Sequence, residues 1–309
     1  LQACEINSNH EVLVPSITYV ASFQAISASG AKPIACDIDE NTGFIDISDA
    51  EKRLTSKTRA IMPVHYASSA SQMNEVYKFA KKNNLRVIED AAHSFGSYLD
   101  KNMVGYKGDI ICFSFDGIKN ITCGEGGAIL TADKKVFSKI RDIRLLGVKG
   151  DSIKRYSKSR SWKFDVVDQG WRYHLSDLLA AIGREQLKKI DTFKERRKKI
   201  VDSYIFNLKK VDGLELLKID YKKNHQHIFP IKITNGRRDS LKLFLEKKGI
   251  QTGIHYQPNH LLSKYRTRNK FKKSEIFGKE ILSIPLHPDL TKKDINKVIS
   301  SIKLFFLEN

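Results

Sequence analysis

Residues 87–93 read VIEDAAH, residues 113–127 read FSFDGIKNITCGEGG, and these two stretches decide the fold. Each opens with the apolar residues of a buried strand and continues into small, polar or charged residues. In sheets of this kind, ligands gather at the carboxyl ends of the strands. The two stretches therefore predict strands that end beside one polar pocket.

Working outward, short apolar runs alternate with amphipathic segments through the first 130 residues. Residues 73–83 carry apolar side chains at the i, i+3, i+4 and i+7 positions of a helix. Strand patterns occupy residues 12–14, 33–37, 60–64, 86–89, 110–115 and 128–131. The alternation predicts the α/β class, with a mostly parallel sheet flanked by helices.

The pattern changes after Lys134, where longer helices are predicted at residues 134–145 and 176–208. The last third mixes strand and helix patterns and predicts a smaller C-terminal α+β domain. We place the large domain at residues 1–190 and the small one at 191–309. The first four residues are typical of the end of a helix.

The net charge of +19, from 54 Lys and Arg against 35 Asp and Glu in 309 residues, raises nucleic acid as a partner. Residues 1–130 hold only 12 of the basic residues and 15 of the acidic ones, so the whole excess lies in the second half. Most of these cations are lysines, which suit solvated helix faces better than base recognition. We therefore predict no nucleic-acid partner.

Other sequence features indicate a cytoplasmic protein without a membrane partner. The sequence has no apolar stretch of the length that a membrane helix needs, and its start lacks the pattern of a signal peptide. The four cysteines form no C-x-x-C pair and predict reduced thiols. His225 and His227 are expected as two partly exposed imidazoles on a strand rather than as metal ligands, and no metal site is predicted.

Two side chains in the stretches 87–93 and 113–127 are of types that can take part in catalysis or ligand binding. A carboxylate such as Asp90 at a strand end can bind a metal, act as a base or pair with a cationic ring nitrogen. Lys119 in a pocket beside an apolar sheet would lose water and have a lowered pKa, as a lysine that forms Schiff bases requires. The sequence position alone does not decide between this interpretation and the alternative that Lys119 is a lysine on a surface loop.

Four ordered motifs, at residues 89–93, 113–127, 253–258 and 283–288, resemble the DegT/StrS-type sugar aminotransferase family. The resemblance covers essentially the whole chain. It implies an enzyme that uses pyridoxal 5'-phosphate (PLP) and has the aspartate aminotransferase fold, called fold type I.

The resemblance also implies roles for individual residues of the PLP site. Lys119 matches the catalytic lysine that binds the cofactor covalently and then moves protons. Asp90 matches the partner of the pyridinium nitrogen, and His93 lies at the position near the ring hydroxyl. Ser114 matches a phosphate-binding hydroxyl, and Tyr19 matches the aromatic side chain stacked on the ring.

Further matches concern the substrate and the neighbouring subunit. His255, Tyr256 and His260 match the motif near the sugar-binding mouth. Many relatives have an Asn at the position of Arg172, and this Asn contacts the phosphate site of the neighbouring subunit. The resemblance therefore implies a homodimer with shared active sites. Arg172 is the candidate for that contact in this chain, and His174 is the alternative.

The chain departs from the family pattern in two places. Asp116 stands where relatives commonly have His. Relatives also carry a Gly-Thr turn before the strand matching residues 12–14, and its backbone amides hold the cofactor phosphate. Because the chain starts after that turn, we expect either an incomplete sequence or a truncated product. A truncated product would lack a phosphate contact and part of the dimer surface, and would be weakly active or inactive.

By resemblance, the predicted reaction moves an amino group, with glutamate as donor, to a nucleotide-linked keto-sugar for surface polysaccharide or lipopolysaccharide synthesis. A sugar dehydratase of the same family is the first alternative, although such relatives usually replace the lysine at Lys119 by His. A truncated non-catalytic homologue or a basic binding protein is the second. The basic run at residues 149–163, which includes Lys154 and Arg155, is a candidate contact for the diphosphate of the sugar nucleotide.

Overall fold

The computed structural model describes residues 1–149 and 164–308. The strands in these ranges are β1 Glu11–Pro15, β2 Lys32–Cys36, β3 Thr58–Ile61, β4 Arg86–Asp90, β5 Tyr98–Leu99, β6 Asn102–Met103, β7 Ile110–Ser114, β8 Gly127–Thr131, β9 Leu214–Leu216, β10 Phe229–Ile233 and β11 Ile281–Ile284. The α-helices are α1 Val20–Ala28, α2 Ile47–Lys52, α3 Met73–Lys82, α4 Lys134–Ile143, α5 Asp177–Lys188, α6 Ile190–Leu208, α7 Arg238–Lys247, α8 Lys272–Glu280 and α9 Lys292–Glu308.

A six-stranded sheet forms the centre of the molecule, in the order β2-β1-β3-β4-β7-β8. The pairs from β2 to β7 are parallel, and β8 runs antiparallel to β7. Every residue of β1 is buried, because helices cover both faces of the sheet. The predicted mostly parallel α/β sheet is confirmed, and β4 and β7, which carry the two opening stretches, lie side by side.

Alternation of side chains along β4 divides the core into two layers. Val87 packs in the cluster that includes Met73, Val76 and Phe79 of α3. Ile88 packs on the other face, in the cluster that includes residues of α1 and α4. One strand thus anchors helices on both faces.

The C-terminal part has its own core around the three-stranded antiparallel sheet β11-β10-β9. All of β10 is buried, and its apolar side chains share one cluster with residues of α6, α7 and α9. This is the predicted smaller α+β unit. The domain limits at residues 190 and 191 stay a prediction.

The predicted single helix over residues 176–208 is wrong in one respect. The structure has two helices, α5 and α6, which are separated at Lys189. The start of α5 is as expected, because the hydroxyl of Ser176 accepts a hydrogen bond from the backbone N–H of Leu179.

Removing the aromatic centre of the C-terminal core should destabilise the protein. Phe229 is completely buried, with its ring centroid 5.2 Å from that of Tyr204. We expect Phe229→Ala to reduce the free energy of unfolding by about 3–5 kcal/mol, because a cavity replaces the ring. Urea denaturation measures this loss. Phe206→Ala is the control, since Phe206 is 76% exposed, and its effect should stay within about 0.5 kcal/mol; equal losses for the two variants would contradict the prediction.

Candidate active site

The ends of β4 and β7 open into a cavity of about 550 Å³. Residues from β4, β7, α1, the loop that follows β7 and the segment around residue 255 line it. The polar and aromatic lining includes Tyr19, Ser22, Asp90, His93, Ser114, Asp116, Lys119, His255 and Tyr256. The structure therefore brings together the side chains that the sequence placed at separate strand ends.

Asp90 is the last residue of β4, and two donors fix its carboxylate. Oδ1 accepts a hydrogen bond from the backbone N–H of Ala92 at 3.2 Å, and Oδ2 accepts one from the Ser22 hydroxyl at 2.6 Å. Fixed hydrogen bonds to both oxygens hold the carboxylate in one orientation. It is therefore set to receive a positively charged group in the cavity.

The neighbouring acid, Glu89, has different partners. Its side chain is 2% exposed; Oε1 accepts a hydrogen bond from the Tyr77 hydroxyl at 2.7 Å, and Oε2 lies 3.1 Å from Nε2 of His65. Tyr77 belongs to α3, so this carboxylate is bound on the opposite face of the sheet. Of the two acids at this strand end, Asp90 is the one whose carboxylate is bonded to the cavity lining.

Lys119 lies in the lining, at the end of a turn that its own loop stabilises. The backbone N–H of Lys119 donates to the carbonyl of Asp116, and Asp116 Oδ1 accepts from the N–H of Ile118. Burial lowers the pKa of the lysine, while the charges of Asp90 and Asp116 oppose that shift. A partly desolvated amine is the form suited to nucleophilic attack and proton transfer. The pocket interpretation is thus favoured over a surface-loop lysine.

The glycine-rich return after Lys119 allows β8 to approach β7 closely. A Cβ atom at Gly127 would lie 2.7 Å from the carbonyl oxygen of Phe113, closer than real side chains come. Ser114, the last residue of β7, is held beside this return. Its hydroxyl lies 3.4 Å from the backbone N–H of Asp116. The close pairing places the hydroxyl at the cavity wall.

Tyr19 supplies an aromatic surface from the other side. It precedes α1 and is 60% exposed, with its ring centroid 5.9 Å from that of Tyr256. An exposed ring at the edge of a cavity can pack against a flat aromatic ligand.

His93 and Tyr256 form a hydrogen-bonded pair in the lining. The Tyr256 hydroxyl lies 3.0 Å from Nε2 of His93, and Nδ1 of His93 is buried without a hydrogen-bond partner among the described residues. Burial, followed by the charge of Lys119, lowers the pKa of His93 well below its usual value. The imidazole is therefore neutral at pH 7 and has one polar atom available to a ligand.

His255 also faces the cavity, and β11 and Tyr66 hold it there. Nδ1 of His255 lies 2.8 Å from the Ser283 hydroxyl, and the Tyr66 hydroxyl donates to the His255 carbonyl. Burial lowers the pKa of this imidazole too. The result is a second neutral polar group at the opening.

Two predicted site residues lie elsewhere in this chain. His260 is 2% exposed and bonds to the Ser16 hydroxyl at 2.6 Å, outside the cavity lining. Arg172 is exposed and makes an isolated β-bridge with Leu145. Their contacts with substrate or with a partner subunit stay predictions. The basic residues Lys154 and Arg155 lie outside the described ranges.

The expectation that His225 and His227 are partly exposed imidazoles on a strand is wrong. Both imidazoles are buried, at 0% and 6% exposure, and both residues precede β10 rather than lie in it. The His227 ring packs 4.6 Å from that of His93 and so supports the cavity wall. Within residues 1–149 and 164–308, no group of three His, Cys, Asp or Glu side chains is arranged to hold a metal ion.

Sequence reasoning missed the hydroxyls behind Asp90. Thr18 and Ser22 lie four residues apart at the start of α1, and their hydroxyl oxygens are 2.8 Å apart. Neither contact has a local signal in the sequence, because Thr18 precedes the helix and the link from Ser22 to Asp90 joins segments 68 residues apart.

The buried imidazoles predict a loss of stability in acid. Burial lowers the pKa of His225 to about 3, and it lowers those of His93 and His227 as well. An unfolded histidine has a pKa of about 6.5, so the unfolded chain binds more protons than the folded one below that pH. The stabilisation is complete above about pH 6.5 and is lost as the pH falls toward the folded-state pKa.

We therefore expect the urea midpoint to fall between about pH 7.5 and about pH 5. His225→Gln should flatten this dependence, because it removes one of the buried groups that must take up a proton. His287→Gln, at an exposed position, is the control and should leave the dependence unchanged. A midpoint that is the same at both pH values would contradict the prediction.

The cavity residues fit a phosphorylated pyridine aldehyde. A fixed carboxylate can pair with a ring nitrogen, a partly desolvated lysine can attach to the aldehyde, and the hydroxyl of Ser114 can bind phosphate. The unpartnered Nδ1 of buried His93 leaves a polar atom for a ring substituent. With the α/β sheet, this set defines a PLP-dependent enzyme of fold type I.

Comparison with known proteins narrows that class. The model of the DegT/DnrJ/EryC1/StrS aminotransferase family matches residues 1–303, and the chain belongs to this family. The protein MJ1066 of Methanocaldococcus jannaschii is 35% identical over 100% of this chain and 83% of its own length.

Solved structures agree with this assignment. DesV of S. venezuelae superposes with a TM-score of 0.89 at 29% identity, covering 99% of this chain and 81% of its own. Spr1654 of Streptococcus pneumoniae, in its PMP form, superposes with a TM-score of 0.92 at 25% identity, covering 100% and 84%. The predicted family, fold and PLP dependence are thus confirmed, and the protein is an aminotransferase of the sugar aminotransferase group.

Proposed function

We propose that this protein transfers an amino group from glutamate to a nucleotide-linked keto-sugar in the cytoplasm, for surface polysaccharide or lipopolysaccharide synthesis. The observation that carries the proposal is the single cavity that holds both Lys119 and the fixed carboxylate of Asp90. Membership of the aminotransferase family supports it.

Bound PLP supplies an electron sink for the bond changes at the amino-bearing carbon. Lys119 would hold the cofactor covalently, and its Nζ, set free when the amino donor takes its place, would carry protons as general base and acid. Its lowered pKa makes the neutral amine available for this transfer. Asp90 would pair with the ring nitrogen and keep it protonated.

The remaining lining residues bind and orient the cofactor. Tyr19 would pack against the ring, Ser114 would donate its hydroxyl to the phosphate, and His93 would contact the ring oxygen. Because the imidazole of His93 is neutral, it can donate a hydrogen bond without adding a second cation beside Lys119.

Neutral polar groups at the opening suit a sugar. His255 and Tyr256 can exchange hydrogen bonds with ring hydroxyls, as a carbohydrate requires. His260 is assigned to the same mouth by its motif, although in this chain it bonds to Ser16.

The proposal includes a homodimer with shared active sites. Apolar side chains are exposed near the cavity and along α5, among them Ile118 at 70% and Leu178 at 79%. A second copy that covers this surface would bring Arg172 toward the partner's phosphate site.

Within the described residues, no helix is long and apolar enough to cross a membrane.

A panel of nucleotide-linked keto-sugars, each incubated with glutamate and PLP-loaded enzyme, tests the proposal. The expected result is formation of 2-oxoglutarate in step with an amino-sugar nucleotide identified by mass spectrometry. Loss of water from the sugar without amine gain would identify a dehydratase instead. An enzyme that retains PLP and aminates none of the panel would overturn the assigned substrate class.

A further inference from the structure

A chain of two hydroxyls leads from the start of α1 to the Asp90 carboxylate. The Thr18 and Ser22 hydroxyl oxygens are 2.8 Å apart, and the Ser22 oxygen lies 2.6 Å from Asp90 Oδ2. Thr18 and Ser22 are 1% and 3% exposed. Both hydroxyls are thus removed from bulk water and depend on one another for hydrogen bonds.

The carboxylate at the end of this series of hydrogen bonds determines which hydroxyl donates in each of them. An ionised carboxylate can only accept, so Ser22 donates its single proton to Asp90. The Ser22 oxygen is then left as an acceptor for the Thr18 hydroxyl. Each hydrogen bond in such a chain polarises the next, which strengthens the bond that reaches the charge.

The loop that holds Thr18 is itself anchored from the C-terminal half of the chain. The side-chain amide of Asn259 donates to the carbonyl of Thr18 at 2.7 Å and to that of Ser16 at 3.1 Å. Asn259 is 1% exposed. The hydroxyl chain therefore starts from a fixed backbone segment, and its geometry does not depend on a mobile side chain.

We propose that Ser22 is a positioning residue for the ring nitrogen of the cofactor, acting through Asp90. The inference rests on the proposed pairing of Asp90 with that nitrogen. Backbone N–H of Ala92 fixes Oδ1, and the Ser22 hydroxyl fixes Oδ2. Without the second donor the carboxylate is free to rotate away, and its hold on the ring proton weakens.

The test uses Ser22→Ala, Ser22→Thr and Thr18→Val in the PLP-loaded enzyme. The ¹⁵N resonance of ring-labelled PLP reports protonation of the ring nitrogen. In Ser22→Ala we expect this resonance to move toward that of unprotonated pyridine, and kcat to fall about tenfold with the donor KM within about twofold, as loss of one hydrogen bond to a charged group implies.

Ser22→Thr keeps the hydroxyl and should restore both readouts. Thr18→Val, which removes only the outer donor, should shift the resonance in the same direction by less. Ser27→Ala is the matched control: it removes a hydroxyl from the same helix, one bonded to Tyr265 instead, and should leave both readouts at wild-type values.

Two results would overturn the inference: an unshifted resonance in Ser22→Ala, or a Ser22→Thr variant as impaired as Ser22→Ala, which would assign the effect to packing. Failure of the Asp90 pairing itself would look different, because the wild-type ring nitrogen would then be unprotonated. The two failures are thus distinguishable in one set of spectra.

Discussion

Lys119→Ala is expected to lower turnover by about 10³-fold, within the range for removal of a group that transfers protons. It should also abolish covalent attachment of the cofactor. The reason is that, among the residues that the structure describes, Lys119 is the one lysine in the lining of the cavity that holds Asp90. Borohydride treatment followed by peptide mass spectrometry measures attachment, with reduced cofactor expected on Lys119 in the wild type and none in the variant.

The control for this experiment is Lys101→Ala, which removes an exposed lysine. It should keep both turnover and attachment. Addition of a small primary amine to Lys119→Ala should recover part of the turnover, since a free amine can replace the missing proton carrier. Modification of another lysine in the wild type would show that the catalytic assignment is wrong.

Asp90→Asn should reduce turnover by about 10²-fold, a loss typical for removing one electrostatic contact in an active site. The substitution keeps the shape of the side chain and removes its charge, so the partner of the ring nitrogen is lost while the fold is kept. Steady-state kinetics of the PLP-loaded variant, with its thermal midpoint measured in parallel, separates these two effects.

Asp100→Asn serves as the matched control, because Asp100 is an exposed carboxylate bonded to the Asn74 side chain. Its turnover should equal that of the wild type. An Asp90→Asn enzyme with normal turnover would remove Asp90 from the mechanism and, with it, the role inferred for Ser22.

The sheet and the cavity could be predicted because their signals are local. Apolar runs such as residues 110–115 must be buried, and parallel strands bring their carboxyl ends to one edge. This places Asp90 and Ser114 together whatever the connecting loops do. The predicted sheet and pocket followed from these strand ends, whereas the predicted cofactor followed from the resemblance of four motifs to the sugar aminotransferase family.

The rest of the site depends on contacts between distant segments. His227 had the pattern of a strand residue, yet it is buried against His93, 134 positions earlier in the sequence. The motif position of His260 gave no sign that its imidazole is used on Ser16. The break at Lys189 has no Gly or Pro to mark it, so local propensity gave no sign of it.

The opposite orientations of Glu89 and Asp90 have a genetic consequence. Loss of the Glu89 carboxylate would leave the half-buried Tyr77 hydroxyl without its acceptor and would remove the carboxylate beside the buried His65 imidazole, so it would act on how much folded protein the cell contains. Loss of the Asp90 carboxylate would act on how fast each folded molecule turns over. Adjacent codons would therefore produce two kinds of null allele, of which only the first could be rescued by a stabilising mutation elsewhere.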